Sequence, residues 1–395
     1  MNASLKKKLV IITSRFPYPL EKGDKLRIYH QIRELSYTYE IHLLSISDIP
    51  VSPDYENELL KYCESVHIYR ISVASRIVGM LRSLLFSLPI QVGYFYNPFH
   101  KQQIMRTITA LQPDAIYCQL IRVAEYVKEY HDCPKVLDYM DAFSKGMERR
   151  RHSGKWYETF FFEMESRRLR RYEQRIFDYF EEKLIISEQD KNFIAHPNRS
   201  NIVAVPNGID RTFFEDLPIT STYDLVFVGN LSYAPNIEAV LYLKDYIMPL
   251  LKDCSLLVSG AQPSKSLQIA CEEATNITLQ GWVNDIRESY KSGAVFVAPM
   301  MIGTGMQNKL LEAMALGIPC ITTSLANNAI GAMNNETILV AETAEQFKDA
   351  INLLRSDSAL YHRISTQAKQ FVQDHFQWNQ STRIIQGLID KLTDR

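Results

Sequence analysis

Short apolar runs alternate with longer segments of helical period along nearly the whole chain, and this alternation limits the possible folds. A first series of runs occupies residues 9–14, 41–45, 66–70, 115–118, 135–139, 184–187 and 202–205. A second series occupies residues 225–229, 255–259, 277–281, 294–299, 320–323 and 338–340. Such runs are typical of strands buried on both faces of a parallel sheet whose connections are helices.

Two series of runs predict two doubly wound α/β domains, with ligands expected at the carboxyl ends of the strands. The turn residues Asn207-Gly208-Ile209-Asp210 end the first series, so we place the domain boundary at residue 210. The domains are therefore predicted to cover residues 1–210 and 211–375. The last segment, 376–395, is predicted to be a helix that crosses back to the first domain.

Composition excludes several classes of protein. Lysine and arginine number 44 against 45 aspartates and glutamates, so we expect no nucleic-acid partner. The six cysteines include no Cys-x-x-Cys pair, which indicates reduced thiols and neither a disulfide framework nor a zinc site. The apolar run after the basic N-terminus covers only residues 9–12, too short for a signal peptide, and no run is long enough to span a membrane. The expected location is the cytoplasm.

A basic amphipathic segment over residues 75–88 departs from this pattern. It places Arg76 and Arg82 among large apolar residues, and further arginines follow at 149–151 and 167–171. Such a helix can lie on an anionic membrane, which would put the protein at the cytoplasmic membrane surface. The alternative is an ordinary domain helix that buries its apolar side, with the later arginines on a solvated helix face.

The most informative stretch is PMMIGTGMQNKLLEAMALGIP, residues 299–319. A strand ends at Pro299, a loop with two glycines follows, and a helix is predicted over residues 307–316. Glycines at such a turn let the backbone approach a phosphate, and a helix N-terminus attracts negative charge. Lys309 lies in the first helical turn, where a cation is unfavourable unless an anion is near, and Glu312 shares its face. This pattern indicates a diphosphate site with a carboxylate for ribose hydroxyls; the alternative is a plain surface ion pair.

This stretch resembles the nucleotide-sugar motif of GT-B glycosyltransferases of family 4, and is similar to that of exopolysaccharide-associated sugar transferases. Four other segments resemble further parts of that family in the same order: SRFPYPLEKGDKLR, VPNGID, FVGNLSYAPN and QGWVNDIRESY. The resemblance implies a GT-B fold, in which two Rossmann-like domains face each other across a cleft. The first domain would bind the acceptor and the second the nucleotide sugar.

The resemblance also implies roles for individual residues. Lys309 and the loop would hold the diphosphate, and Glu312 the ribose. Trp282 and Val283 would frame the base, although Trp282 could instead be an ordinary core residue. The complete predicted donor-binding set is Gly23, Asp24, Gly229, Asn230, Trp282, Val283, Gly303, Thr304, Gly305, Met306, Lys309 and Glu312. For Gly23 and Asp24 the alternative is a simple turn.

One residue departs from the pattern of the family. Many members carry a second glutamate eight residues before the ribose-binding one, and here that position is Thr304. Other residues must therefore contact the donor sugar. The chain has no Asp-x-Asp motif for a metal, so we expect no metal and no cofactor, with Lys309 as the main phosphate cation.

A candidate base follows the strand at residues 135–139. Asp141 lies just past this strand, in the segment VLDYMDAFSKG, where the resembling transferases carry a DxxDxxS run. We predict that Asp141 is the catalytic base and that Asp138 positions it or pairs with it. A turn or helix-capping role for Asp141 is the alternative.

The function predicted from the sequence is metal-independent transfer of a sugar from a nucleotide diphosphate to a lipid-linked or glycan acceptor in cell-surface or exopolysaccharide synthesis. A nucleotide-sugar epimerase would use the same donor without a second substrate. A non-catalytic nucleotide-binding partner of a polysaccharide assembly is the other alternative.

Overall fold

A computed structural model describes residues 6–150, 156–215, 222–302 and 306–394. The chain divides into two compact units. The first unit comprises Met1–Pro206 together with Trp378–Arg395, and the second comprises Asn207–Gln377. The chain therefore passes into the second unit four residues before the predicted position and returns to the first unit for its last helix.

The first unit contains a parallel sheet of seven strands. Its strands are β1 (Lys8–Thr13), β2 (Glu40–Ser47), β3 (Ser65–Arg70), β4 (Ala115–Gln119), β5 (Lys135–Asp138), β6 (Glu182–Ile185) and β7 (Ile202–Ala204). They lie in the order β3-β2-β1-β4-β5-β6-β7. Strand order reverses between β1 and β4, and in such sheets this point opens a crevice at the carboxyl ends of the strands.

The second unit contains a parallel sheet of six strands. Its strands are β8 (Tyr223–Val228), β9 (Leu256–Ser259), β10 (Ile277–Gln280), β11 (Gly293–Ala298), β12 (Cys320–Thr322) and β13 (Leu339–Val340). Their order is β10-β9-β8-β11-β12-β13, so the reversal lies between β8 and β11. Every predicted apolar run overlaps one strand, and the predicted α/β class is confirmed.

Helices connect the strands in both units. Those before the second unit are α1 (Gly23–Leu35), α2 (Pro53–Leu60), α3 (Val73–Leu85), α4 (Ile90–Phe95), α5 (Pro98–Leu111), α6 (Ala124–Val127), α7 (Phe143–Arg150), α8 (Trp156–Ile176) and α9 (Glu188–Phe193). The others are α10 (Ala234–Tyr242), α11 (Lys265–Glu272), α12 (Ile286–Lys291), α13 (Asn308–Ala315), α14 (Ser324–Asn327), α15 (Ala344–Ser356), α16 (Ser358–His375) and α17 (Trp378–Thr393). Among the described residues, no helix is both long and apolar enough to cross a membrane.

The sheets owe their stability to burial on both faces. In β1 the four residues from Leu9 to Ile12 are fully buried, and in β8 the residues from Leu225 to Val228 are at most 3% exposed. Burial of apolar surface on this scale is the main favourable term in folding. The six cysteines are free thiols, and all but Cys133 are buried.

The last helix, α17, belongs to the core of the first unit. Trp378 stacks on His30 of α1 with ring centroids 4.7 Å apart, and Ile385 and Ile389 are buried in the same core. The Tyr39 hydroxyl donates a hydrogen bond of 2.6 Å to Asp390. Helix α17 therefore packs with residues from which it is separated by most of the sequence.

Helix α3 does not bury its apolar side, contrary to one of the two interpretations of residues 75–88. Its buried residues are Gly79 and Ser83, whereas Val73, Val78 and Leu85 are more than 60% exposed. The small residues face the protein because α4 crosses at this point. The exposed apolar side therefore needs another explanation.

Candidate functional site

Two glycines shape the carboxyl edge of the second sheet. Gly229 follows β8 and Gly260 follows β9, and a Cβ atom on Gly260 would lie 1.7 Å from the Gly229 carbonyl oxygen. Gly260 also has a φ of +152°, a conformation that residues with a side chain rarely adopt. A Cβ atom on Gly229 would lie 2.8 Å from the Asn236 side-chain nitrogen. Gly229 belongs to the predicted donor-binding set, whereas Gly260 lies in none of the sequence motifs.

Asn236 links this edge to Lys309. The side chain of Asn236, in α10, is buried and donates a hydrogen bond of 2.8 Å to the Asn230 carbonyl oxygen. Its other side-chain atom, Oδ1, accepts a hydrogen bond from the Lys309 ammonium. Asn236 therefore holds Lys309 at the carboxyl end of β8. This role was not predicted, because the two residues are 73 positions apart.

The surroundings of Lys309 make its charge costly. Its Nζ atom lies 5.2 Å from the centre of the Phe227 ring and 3.7 Å from the sulfur of Met300. Burial lowers the pKa of Lys309 to about 7, although the nearby Glu312 acts in the opposite direction. A cation held in apolar surroundings interacts strongly with an anion that enters the site. The geometry therefore suits a lysine that binds a phosphate.

Glu312 lies one turn further along α13, where Tyr290 orients its carboxylate. The Tyr290 hydroxyl donates a hydrogen bond of 2.6 Å to Glu312 Oε2, and the tyrosine ring is fully buried. Burial raises the pKa of Glu312 despite the hydrogen bond from Tyr290 and the charge of Lys309. Tyr290 was part of the segment that resembles the base-binding loop, but its role in positioning Glu312 depends on the fold.

Helix α13 begins where the sequence predicts the phosphate loop. Gln307 precedes its first residue, Asn308, whose side-chain oxygen accepts a hydrogen bond of 3.1 Å from the buried Asn207. Met306 is half-buried and packs against the core. The other predicted loop residues, Gly303, Thr304 and Gly305, lie outside the described residues.

Trp282 and Val283 follow β10 at the same edge of the sheet. Trp282 is 71% exposed, so the alternative that it is a core residue is wrong. Val283 is half-buried. An exposed tryptophan at the carboxyl end of a strand is free to stack on a planar ligand.

The Asn230 side chain forms part of a turn. Its Oδ1 atom accepts hydrogen bonds from the backbone and hydroxyl of Ser232, at 2.9 and 2.7 Å. The backbone oxygen of Asn230 is the acceptor for Asn236. Asn230 thus shapes the loop after β8 and supports the residue that holds Lys309.

In the first unit, Asp138 is the buried partner of an arginine. Its Oδ2 atom accepts hydrogen bonds of 2.7 Å from Arg27 Nε and from the Tyr117 hydroxyl, and its Oδ1 atom accepts one from the Met140 backbone. Burial opposes ionisation, but Arg27 outweighs it and keeps the pKa of Asp138 below the usual value. Both side chains are fully buried. Asp138 therefore has the pairing role, and its partner is Arg27 and not Asp141.

Asp141 is placed differently. It is half-buried beyond β5, and Met140 before it has a φ of +61°, which a non-glycine residue seldom adopts. Within the part of the chain that the structure describes, no group donates a hydrogen bond to its carboxylate, which argues against a helix-capping role. Burial and the nearby Asp190 raise the pKa of Asp141 well above its usual value. A carboxylate in these surroundings accepts a proton readily.

Asp24 is held by two arginines. Its carboxylate lies 2.6 Å from Arg15 and 3.8 Å from Arg122, and these cations outweigh burial and lower the pKa of Asp24. Gly23, which begins α1, is exposed, and an added Cβ atom would make only an ordinary contact with Met140. Asp24 thus forms ion pairs that position Arg15 and Arg122, whereas the structure gives no steric reason for a glycine at position 23.

A cavity of about 270 Å³ lies beside these arginines, at the carboxyl edge of the first sheet. Arg15, Asp48 and Arg122 follow β1, β2 and β4, so the sheet brings them together. The lining combines charged groups with aromatic rings: Arg15, Asp48, Tyr94, Phe95, Arg122 and Phe161. Burial lowers the pKa of Arg122 to about 10, and its guanidinium lies 5.6 Å from the centre of the Phe95 ring. This cavity could not be predicted from the sequence, because the residues that line it come from distant segments.

Comparisons with known proteins agree with this geometry. Residues 222–357 match the family model described as glycosyl transferases group 1. A relative from Klebsiella pneumoniae, described as an uncharacterized 44.6 kDa protein in the cps region, is 22% identical over 394 residues. That match covers 93% of this chain and 96% of the relative.

Solved structures show the same fold. Sucrose-phosphate synthase from Thermosynechococcus elongatus superposes with a TM-score of 0.71 at 15% identity, covering 98% of this chain and 99% of the other. Anabaena HepE in complex with UDP and glucose superposes with a TM-score of 0.68 at 11% identity, covering 98% and 100%. Residues 222–357 thus match a group 1 glycosyl transferase domain, and the chain as a whole has the GT-B fold.

Proposed function

We propose that this protein transfers a sugar from a nucleotide diphosphate to an acceptor in capsule or exopolysaccharide synthesis. The observation that carries the proposal is the pair Lys309 and Glu312 on α13, each held by a buried partner at the carboxyl edge of the second sheet. The similarity to a protein of a cps region supports the polysaccharide context, and the similarity to HepE in complex with UDP supports a nucleotide donor.

The donor diphosphate would bind to Lys309 and to the N-terminus of α13. Departure of the nucleotide leaves extra negative charge on the diphosphate, and a desolvated ammonium near a helix N-terminus stabilises it. This arrangement supplies positive charge without a metal, so we propose that the reaction needs neither a metal nor a cofactor. Glu312 would accept hydrogen bonds from the ribose hydroxyls, and Tyr290 would hold it in place.

The nucleobase would stack on Trp282 and contact Val283. The indole of Trp282 is largely exposed, and aromatic faces are suitable for planar bases. Gly229 keeps space for Asn236, which in turn positions Lys309. The donor site would therefore be built from the ends of β8, β10 and β11.

The acceptor would bind to the first unit, with Asp141 as the base that removes a proton from its hydroxyl group. The cavity beside Arg15 and Arg122 combines aromatic rings with charged groups, as carbohydrate and phosphate ligands require.

The six free thiols indicate that the protein works in a reducing compartment.

The test is thermal unfolding of the full chain with UDP, GDP, ADP and dTDP, each with and without EDTA. A nucleotide at about 100 times its dissociation constant should stabilise the protein by roughly 2.7 kcal/mol. We expect one nucleotide to stabilise the wild type, with or without EDTA, and to lose its effect on Lys309→Ala. Lys252→Ala, at an exposed lysine in the same unit, is the control and should respond like the wild type.

Two results would contradict the proposal. One is an unchanged response of Lys309→Ala to the nucleotide that stabilises the wild type. The other is no stabilisation by any nucleotide. A loss of stabilisation in EDTA alone would contradict metal independence.

A further inference from the structure

Helix α3 packs against α4 through its smallest residues. A Cβ atom on Gly79 would lie 2.1 Å from the Gly93 carbonyl oxygen, and one on Gly93 would lie 2.6 Å from the Ser83 Cβ. The two backbones are therefore in direct contact, and no larger side chain fits between them. An ordinary amphipathic helix buries its large apolar residues, whereas α3 buries Gly79 and Ser83.

The opposite side of α3 presents a continuous apolar surface to solvent. At 100° per residue, its members fall within one side of the helix. They are between 43% and 82% exposed: Val73, Ile77, Val78, Leu81, Leu84 and Leu85. We call these six residues the apolar face of α3. Contiguous exposed apolar residues of this kind mark sites of interaction with a protein or a membrane.

Exposed aromatic residues follow α3 and occur on α8. Phe86 directly after the helix is 61% exposed, and Phe160 and Phe161 of α8 are 69% and 41% exposed. Phe161 and Met80 of α3 line the same cavity, the one beside Arg15 and Arg122. The exposed apolar residues therefore lie next to the cavity that we assign to the acceptor.

The charge of this region indicates what covers it. Residues 65–113 contain no aspartate or glutamate, but five lysines or arginines. Two of them are on α3, where Arg82 stands at the edge of the apolar face. Farther along α8, Arg167, Arg170 and Arg171 are exposed. An apolar helix face in a segment whose charged residues are all basic matches an anionic lipid surface, because acyl chains take the apolar residues and headgroups take the arginines.

We propose that the apolar face of α3 lies on an anionic lipid bilayer. The protein would then work at the membrane surface, with the acceptor cavity beside the lipid. This placement selects a lipid-linked acceptor over a free glycan, a choice that rests on the proposed transferase function. The membrane contact itself does not depend on that function.

The test is sedimentation of the full chain with vesicles of phosphatidylcholine, alone or mixed with phosphatidylglycerol. We expect the wild type to sediment with the mixed vesicles and to bind pure phosphatidylcholine more weakly. The double variant Leu81→Glu, Leu85→Glu should lose at least about tenfold in partition into mixed vesicles, since each carboxylate opposes both insertion and anionic lipid. Arg82→Glu should reduce binding to mixed vesicles only.

The matched control is Ile269→Glu with Leu353→Glu, at residues of the second unit that are 58% and 45% exposed. It should sediment like the wild type. Stabilisation by the nucleotide, measured on the same samples, shows whether each variant is folded. The same measurement separates the two proposals. Vesicle binding without nucleotide binding contradicts only the transferase proposal, and nucleotide binding without vesicle binding contradicts only the membrane proposal.

Two outcomes would overturn the membrane proposal. The first is a wild type that stays in the supernatant with mixed vesicles, or a Leu81→Glu, Leu85→Glu variant that sediments equally. The second is a wild-type dimer that the double variant dissociates while vesicles recruit no protein. In that case a second copy of the chain covers the apolar face of α3.

Discussion

At the scale of single residues, the proposed donor site depends on Lys309, whose charged form is destabilised by burial. Lys309 loses hydration beside Phe227 and Met300, and the nearby charge of Glu312 favours its protonated form. A bound diphosphate would supply more negative charge and restore the ordinary preference of lysine for a proton. Binding of the donor and protonation of Lys309 should therefore favour each other.

This linkage predicts the pH dependence of donor affinity. Burial lowers the pKa of Lys309 to about 7 in the free protein, so the side chain is charged below that pH and neutral above it. The affinity for a sugar-linked diphosphate should be constant below pH 7 and weaken by up to about tenfold per pH unit above it. Titration calorimetry from pH 6 to 9 measures this, with Lys309→Arg as the control that stays charged. An equally steep decline in that control would contradict the role of Lys309.

Asp138 and Asp141, at the end of β5 and just beyond it, differ in whether the protein stabilises their charged form. Asp138 is the buried counter-charge of Arg27, so Asp138→Asn should lower the free energy of unfolding by about 3–5 kcal/mol. Burial disfavours the charge of Asp141, so Asp141→Asn should keep the wild-type stability or exceed it. Its kcat should nevertheless fall about 10²–10⁴-fold if Asp141 is the base. Denaturant unfolding and initial rates on both variants provide the measurement, and wild-type kcat in Asp141→Asn would contradict its role.

At the scale of elements, the ends of β8 and β9 meet so closely that only glycine fits. Gly260→Ala would place a Cβ atom 1.7 Å from the Gly229 carbonyl oxygen, and the backbone cannot move without disturbing the sheet. Gly331, with a φ of +75°, has open space around it, so Gly331→Ala should cost only about 1 kcal/mol. We expect Gly260→Ala to lower the free energy of unfolding by clearly more than Gly331→Ala. If denaturant titrations gave equal losses of unfolding free energy for the two variants, the close contact between the ends of β8 and β9 would not restrict residue 260 to glycine.

At the scale of the whole molecule, the chain runs from the first unit to the second and then returns. Helix α17 completes the core of the first unit, where Trp378 stacks on His30. Trp378→Ala should therefore destabilise that unit by about 3–5 kcal/mol, the cost of removing a large buried side chain. Hydrogen exchange should accelerate in α1 and remain slow in α13. Trp282→Ala is the matched control, because Trp282 is mostly exposed and should leave exchange unchanged in both helices.

The sequence by itself determined the strands, the α/β class and the motif around Lys309 and Glu312. These features are local: hydrophobic periodicity and the order of glycine, lysine and glutamate are readable within a few dozen residues. The sequence also suggested that residues 75–88 form an amphipathic helix, but not which side of that helix the protein covers.

Only the tertiary structure decided which residues are partners, because partners lie far apart in the chain. Asn236 and Lys309 are separated by 73 positions, and Arg27 and Asp138 by 111. For the same reason Asp138 could not be recognised as a buried ion pair, and the cavity beside Arg15 could not be foreseen. The exposed side of α3 was decided by α4, since the contact between Gly79 and Gly93 leaves no room for a large side chain. Periodicity shows that a helix has two sides, but packing determines which side faces solvent.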